Sequence, residues 1–442
     1  IYISIMTQTT IIKDRVDSKP ETTITPEFKQ AFDLLENTRQ NIFLTGKAGT
    51  GKSTFLQYFR RNTEKQIAVV APTGVAALNV QGQTIHSLFR LPPSFIDPKA
   101  IKTDRRKIFK ELELLIIDEI SMVRADIFDG IDRFLQLARK NKEPFGGVQL
   151  CVIGDLFQLP PIISNEEKEF FAQYYSSPFF FATESYKTAN FQTIQFTTIH
   201  RQNDEVFINI LNAIRSGSCD KASLAVLESR VLPKSTPAQG TLVLTTTNAL
   251  AENINNTKLA QLTVKNHYYE GDLKGEFGMK GARLPSPERL ELKVGAQVMF
   301  VKNDSEGRWV NGTIGIVEAL ADEEIKVKVG DIYYKVEQEK WKTIGYEFNE
   351  EEGKITEKTL GSYTQFPLIL AWAVTIHKSQ GKTLERVIID LGHGAFAAGQ
   401  LYVALSRCKT LTGIALKQPV TAKDIRCDAS VTEFMQQFET TS

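Results

Sequence analysis

A lysine, a hydroxyl and a pair of acids stand in this chain at spacings that suit phosphate chemistry. Gly46-Lys47-Ala48-Gly49-Thr50-Gly51-Lys52-Ser53-Thr54 follows the apolar run Ile42-Phe43-Leu44 and precedes Phe55-Leu56-Gln57-Tyr58-Phe59. Strand, glycine loop and helix in that order make a phosphate-binding loop. Gly46, Gly49 and Gly51 permit the tight turn and let loop N–H groups, those of Ala48, Thr50 and Thr54 among them, approach phosphate oxygens. The helix beginning near Lys52 aims its unpaired N–H groups at the same anion. Lys52 is expected on the β- and γ-phosphates, and the Ser53 hydroxyl on Mg²⁺. The alternative, a chance glycine-rich turn, needs neither the strand nor the helix.

Leu114-Leu115-Ile116-Ile117-Asp118-Glu119 is the second signal. A run of apolar β-formers ending in two carboxylates reads as a buried parallel strand that delivers both acids at its carboxyl end. Asp118 suits the Mg²⁺ hydration shell, and Glu119 suits orienting and deprotonating an attacking water. Two acids capping the next helix would be the structural alternative. Gln158, beyond the strand Val148–Ile153 and Gly154-Asp155, is placed to sense a γ-phosphate. Arg201 and Arg407 are candidates for an arginine that completes transition-state charge, although each alone could be a surface ion pair.

Around these residues the chain alternates strand and helix. Residues 26–38 have helical apolar spacing behind Thr25 and Pro26. Gln30 on that helix could read an adenine edge or simply be solvated. Ile67–Ala71 is a strand ending in Pro72-Thr73-Gly74, a loop position along the ligand crevice of a doubly wound sheet. Gln83-Thr84-Ile85-His86-Ser87 follows, with His86 either a phosphate or sugar contact or a packed histidine. Leu91-Pro92-Pro93 opens a small insertion running to about Lys110, whose Arg105-Arg106-Lys107 run reads as a solvated face.

From Phe191 the rhythm starts again. Ile199-His200-Arg201-Gln202 leads into a helix at Val206–Ile214, and Thr241–Leu244 is a strand with Thr246 and Asn248 at its tip. Between about Ala251 and Leu360 short strands and glycine turns take over. Val294–Val301 is expected to pair with Gly312–Val317, and Ile325–Val329 with Ile332–Val336 as a hairpin, together a small β-barrel. The α/β pattern returns at Pro367–Val374, followed by Thr375-Ile376-His377-Lys378-Ser379-Gln380-Gly381. Val387–Asp390 is a strand, and Leu401–Arg407 a helix leaving Arg407 able to face outward.

At 442 residues the chain is long enough for two to four domains. No apolar run is long enough to span a membrane. Residues up to Thr25 show no signal- or transit-peptide pattern, which points to a cytoplasmic protein. Four scattered cysteines and five histidines show no metal or disulfide spacing. A net charge of +1 leaves any nucleic-acid track to local charge.

Taken in order, Gly46–Thr54, Ala71–Ala77, Thr84–Ser87, Leu114–Met122, Gly154–Pro161, His200-Arg201-Gln202, Val374–Gly381 and Tyr402–Arg407 resemble the motifs of superfamily 1 helicases. Leu137–Lys140 with Pro144–Gln149 resembles the signature of the PIF-type (petite-integration-frequency) DNA helicases, bacterial-type core. The resemblance spans about residues 26 to 415. It implies an α/β fold of two RecA-like P-loop domains with parallel sheets, a small insertion in the first and a β-barrel insertion in the second. The expected division is a flexible segment 1–25, a first domain 26–190 with a wedge-like insertion 88–110, a second domain 191–250 with 361–442, and an inserted domain 251–360.

The resemblance also implies ATP and Mg²⁺ as cofactors and 5′→3′ movement on single-stranded DNA. It extends to unwinding of forked duplex, RNA–DNA hybrids and G-quadruplex DNA by a chain that is monomeric or weakly self-associating. Carried over by motif, Lys52, Ser53, Asp118, Glu119, Gln158, Arg201 and Arg407 form the ATPase site, with Gln380 a γ-phosphate or DNA-coupling contact. Pro72-Thr73-Gly74, Thr84, His86, Ser87, Thr246, Asn248, His377, Lys378 and Ser379 would line the DNA track. The family's adenine-reading glutamine follows directly on a pair such as Pro-Glu, whereas Phe28 and Lys29 intervene here before Gln30. An ATP-gated clamp or loader is the rival reading, against which Glu119 counts because a pure switch needs no base. A protein-remodelling ATPase is a second rival, and a GTPase is disfavoured because Asn141-Lys142 is followed by Glu143-Pro144.

Overall fold

The computed structural model describes residues 24–103, 106–202, 204–233, 241–277 and 284–439. The expected flexible segment 1–25 falls almost entirely outside that range.

Six strands build the first lobe: β1 (Asn41–Gly46), β2 (Ile67–Ala71), β3 (Gln83–Thr84), β4 (Leu114–Ile117), β5 (Gln149–Ile153) and β6 (Phe191–Phe196). They form one parallel sheet in the order β3-β2-β4-β5-β1-β6. β4 and β5 are apolar or buried at every position because helices cover both faces of the sheet. Alternation along β1 sends Phe43 into one core, with Phe128 and Leu150, and Ile42 and Leu44 into the other, with Leu35 and Phe59. The strand order sets β4, β5 and β1 side by side, so the acid pair, Asp155 and the glycine loop emerge as neighbours.

The expected boundary at residue 191 lies inside this sheet. β6 pairs in parallel with β1 from Asn41↔Phe191 to Gly46↔Phe196. The insertion 88–110 is seated on the lobe, with Ile96, Ile108 and Phe109 buried in its core. Its basic run is only partly solvated. Arg106 donates to the Leu88 carbonyl at 2.6 Å and stands over the Phe109 ring, while Lys107 is exposed. Arg105 is outside the described residues.

The second lobe opens with β7 (Leu242–Thr245) and is then interrupted, among the described residues, by ten antiparallel strands. These are β8 (His267–Glu270), β9 (Asp272–Gly275), β10 (Arg289–Leu292), β11 (Gln297–Phe300), β12 (Ile314–Leu320), β13 (Ile325–Val329), β14 (Ile332–Val336), β15 (Glu339–Asn349), β16 (Lys354–Gln365) and β17 (Leu368–Leu370). β18 (Ala373–Thr375), β19 (Val387–Asp390) and β20 (Ile414–Leu416) complete a parallel sheet ordered β18-β7-β19-β20. The inserted strands form a ladder β14-β13-β12-β11-β17, a triplet β15-β16-β9 and a pair β10-β8. The expected barrel is thus an antiparallel sheet whose end strands, β14 and β17, do not pair with each other among the described residues.

Two further expectations change. Pro367–Val374, expected to belong to the returning α/β pattern, is split between two sheets: β17 pairs with β11 and β18 with β7. Between them the Ala371 N–H bonds Gln297 while the Trp372 carbonyl takes Val243 N–H, so hydrogen bonding changes sheet within two residues. The carboxyl-terminal helix Ala429–Glu439, assigned to the second lobe, crosses back. Val431, Phe434 and Met435 join the first lobe's core, and Phe434 stacks on Phe181 at 4.3 Å. The β15–β16 hairpin also reaches the first lobe, where the Tyr346 hydroxyl bonds both the N–H and the carbonyl of Val69 at 3.1 Å. No helix among the described residues is long and apolar enough to cross a membrane.

Candidate active site

β1 ends at Gly46, and the loop turns through Gly49 and Gly51 at φ +84° and +88° into the helix Lys52–Asn62. Those left-handed angles favour glycine. Gly49 has a second reason: a Cβ there would come within 2.5 Å of the Arg201 Cβ. Lys52 Nζ donates to the Gly46 and Lys47 carbonyls at 2.7 and 3.0 Å, so the ammonium is curled over the loop it belongs to. Burial lowers its pKa while Asp155, Glu119 and Asp118 hold the proton on. Ser53 and Thr54, in the helix's first turn, are exposed, whereas Ala48 and Thr50 are buried.

Asp118 and Glu119 follow β4. Burial, then the charge of Glu119, raises the Asp118 pKa to about 7. Burial raises Glu119 as well, against the pull of Lys52 and Arg407. Glu119 holds a left-handed backbone at φ +52°, unusual for a non-glycine residue and a form of strain that gathers at functional sites. Asp155, at the tip of β5, goes the other way. Burial opposes its charge, but Arg215 at 3.1 Å and Lys52 outweigh it and hold its pKa below the ordinary value. Gln158 is buried and donates to Asp155 at 3.3 Å.

The second lobe closes this cleft. Gln380 Nε2 donates to Glu119 Oε2 at 3.0 Å. The Tyr402 hydroxyl accepts the Ala48 N–H of the glycine loop at 3.0 Å and donates to Asp155 at 3.3 Å. His200 N–H bonds the Gly49 carbonyl, and Arg201 and Gln202 both donate to the Ser406 carbonyl at 3.2 Å. Arg407 does not face outward as expected; it is 1 % exposed. Its Nε donates to Val403, its Nη2 to the Ser406 hydroxyl, and its Nη1 to the carbonyls of Ser379 and Lys382. The helix Gln400–Leu405 ends before it, and the chain turns it inward. Burial and Arg201 both work against its charge, a tension that an anion would relieve.

The residues expected on a DNA track divide. Thr73, two residues past β2, and Thr84 and Thr375, the last residues of β3 and β18, cap short helices by accepting N–H groups of Ala76, Ser87 and Lys378. Thr247 does the same at the tip of β7, whereas the expected Thr246 is buried and donates to Leu391. Ser379 is likewise buried, its hydroxyl bonded to Ile376. Thr73, Ser87 and Lys378 are exposed; Pro72, Gly74, Thr84, His86, Asn248 and His377 are partly so. Burial and the Arg124 charge lower the His86 pKa, which favours its neutral form. Gln30 is exposed on the helix Pro26–Asn37, and its side chain has no hydrogen-bond partner among the described residues.

The sequence reading passed over Asp155, Arg215 and Tyr402. Asp155 and Tyr402 stood inside quoted motifs, but they are 247 residues apart and nothing local says that they touch. Arg215 had no signal beyond being charged at a helix end. Among the described residues no group of three His, Cys, Asp or Glu could hold a metal by itself. The donor set of Ser53 with buried Asp118 and half-buried Glu119, both of raised pKa, fits a hard cation shared with phosphate oxygens.

A family model described as PIF1-like helicase matches residues 23–224. The chain is 34 % identical over 432 residues to the ATP-dependent DNA helicase Pif1 of Bdellovibrio bacteriovorus, covering 95 % of this chain and 93 % of that one. It spans 61 % of the human ATP-dependent DNA helicase PIF1, again at 34 % identity. The crystal structure of Bacteroides sp Pif1 in complex with ADP-AlF4 superposes with a TM-score of 0.88 at 38 % identity, covering 95 % of this chain and 98 % of the other. Bacteroides Pif1 bound to ssDNA superposes at 0.70 with 39 % identity and the same coverage.

Proposed function

The chain belongs to the PIF1-like helicase family, and we propose that it moves 5′→3′ along single-stranded DNA, opening forked duplex, RNA–DNA hybrids and G-quadruplexes ahead of it. It is an ATP-dependent DNA helicase with ATP and Mg²⁺ as cofactors. When bound, Mg²⁺ would supply positive charge against the triphosphate. The chain's own residues do the rest. Lys52 exchanges the Gly46 and Lys47 carbonyls for phosphate oxygens. Ser53 and Asp118 would hold the cation. Glu119 takes the proton of the attacking water, oriented by Gln380. Arg201 and Arg407 bring positive charge from the second lobe's side, and Gln158 passes the state of the γ-phosphate to Asp155.

One observation supports this most: the base Glu119 is hydrogen-bonded by Gln380 of the opposite lobe. A nucleotide switch without turnover would not need a base whose position depends on lobe closure. We assign the strand to the exposed tips bearing Thr73, Ser87, Asn248, His377 and Lys378. These hold phosphates and sugars through hydroxyls, amides and a few cations, with little reading of bases. The enzyme works in the cytoplasm, at the nucleoid, as a monomer or weak self-associate on DNA.

Duplexes with a 5′ or a 3′ single-stranded tail, given ATP or a non-hydrolysable analogue, test this. The 5′-tailed duplex should be unwound with ATP alone. Unwinding of only the 3′-tailed substrate would reverse the polarity. Strand capture with the analogue, without unwinding by ATP, would make the chain a clamp.

A further inference from the structure

The turn Ser379-Gln380-Gly381-Lys382 ties three parts of the molecule together. Gln380 holds Glu119, and the carbonyls of Ser379 and Lys382 hold Arg407. Its last side chain reaches the inserted domain, where Lys382 Nζ donates to Asn311 Oδ1 at 2.7 Å. Asn311 is fixed in place beforehand. Its N–H bonds Asn303 Oδ1 at 2.7 Å, in a loop that Asp304 braces by accepting from Glu306, Arg308 and the Arg308 guanidinium.

The partner is unusual for an ammonium that is largely withdrawn from water. Asn311 offers a neutral amide oxygen, and among the described residues the neighbouring charge that lowers the Lys382 pKa is another cation, Lys378. Burial and that neighbour lower its pKa to about 8. Lys378 is exposed, and a Cβ on Gly381 would meet nothing within 4 Å, so there is open space beside the turn. Two close cations beside open space, one of them provisionally held by an amide, are built to receive an anion.

We propose that Lys382 is parked on Asn311 in this arrangement and transfers to a phosphodiester of the bound strand, so that strand occupancy is read at the turn that positions Gln380 and Arg407. The proposal rests on the helicase reading above. Lys382 is a phosphate contact in the track, and Asn311 is its competitor in the absence of DNA.

The two residues therefore have opposite effects. In the full chain, the dT oligonucleotide concentration giving half-maximal ATPase stimulation is measured across a salt series. Lys382→Met should raise it about tenfold, the worth of one hydrogen bond to a charged group. It should also make the salt slope shallower by about 0.7, one neutralised single-strand phosphate. Lys382→Arg should keep the slope. Asn311→Ala should lower the half-maximal concentration about two- to threefold with the slope unchanged, as expected when a competing hydrogen bond is removed. The double variant should behave as Lys382→Met alone.

An unchanged slope in Lys382→Met, or weakened binding in Asn311→Ala, would overturn the proposal and leave a purely structural clasp. If Lys382→Met raises the ATP KM without DNA by as much as it weakens the strand, the anion is the nucleotide, and the proposal fails. If the wild-type chain shows no DNA-stimulated hydrolysis at all, it is the helicase reading that falls instead.

Discussion

The tips of β4 and β5 are adjacent in one sheet, and each presents a buried aspartate, yet they do opposite things. Among the described residues no cationic side chain is hydrogen-bonded to Asp118, and burial, then the charge of Glu119, raises its pKa to about 7. Asp155 has Arg215 at 3.1 Å, a tyrosine hydroxyl and an amide, and stays ionised. The first tip is electrostatically incomplete and waits for a cation. The second is satisfied within the protein and serves as the point where the glycine loop, Gln158 and the second lobe meet. Within a single sheet, local charge balance separates the chemical tip from the coupling tip.

The comparison can be broken at either tip, and the largest effect should come from the charge that faces the first. Arg407→Ala removes the second lobe's buried positive charge near Glu119 and should cost about 10³-fold or more in kcat under single-turnover conditions. A loss under about tenfold would mean that Arg201 supplies the transition-state charge and that Arg407 only holds the Ser379–Lys382 turn. At the second tip the damage should appear in stability. Asp155→Ala leaves the Arg215 charge buried without its carboxylate, which should cost about 3–5 kcal/mol in denaturant unfolding. If the unfolding midpoint hardly moves while turnover collapses, Asp155 belongs to the chemistry and the contrast between the tips is wrong.

Both aspartates were visible in the sequence, but only one role was. The glycine loop and the acid pair could be read because their chemistry is local: a strand, a turn and a helix within about a dozen residues carry the whole signal. Sheet alternation was also readable, since β2, β4, β13, β14 and β19 fall close to where apolar runs end. What failed was long-range. An apolar run from Pro367 to Val374 has no mark showing that it changes sheet at Ala371-Trp372. Phe191 begins a strand in any reading, but only pairing with β1 says which lobe owns it. Arg407 ends a short helix that leaves it able to face outward; carbonyls of Val403, Ser379 and Lys382, all but the first distant in sequence, draw it in. The carboxyl-terminal helix has an apolar face, yet sequence cannot say that Phe434 fills a gap beside Phe181 in the other lobe.

The smallest expected effect separates the two tips most cleanly, because pH acts on one of them alone. A carboxyl raised in the folded state contributes stability that is complete below its unfolded pKa, 3.8 for Asp118, and lost as pH rises through about 7. Asp155 is depressed, so its contribution is present above 3.8 and fades only as pH falls through its lower folded value. Between pH 6 and 8 Asp118 therefore changes charge and Asp155 does not. A cation favours the ionised form, so Mg·ADP must displace a proton at pH 6 but not at pH 8. Its affinity, followed by the ligand-induced rise in melting temperature, should increase about tenfold over that window. Asp118→Asn is the control. It keeps the shape, removes the titrating group, and should leave only the dependence that the nucleotide's own phosphate brings. If the variant shows the full wild-type trend, Asp118 is already ionised at pH 6, and burial beside Glu119 does not set its charge.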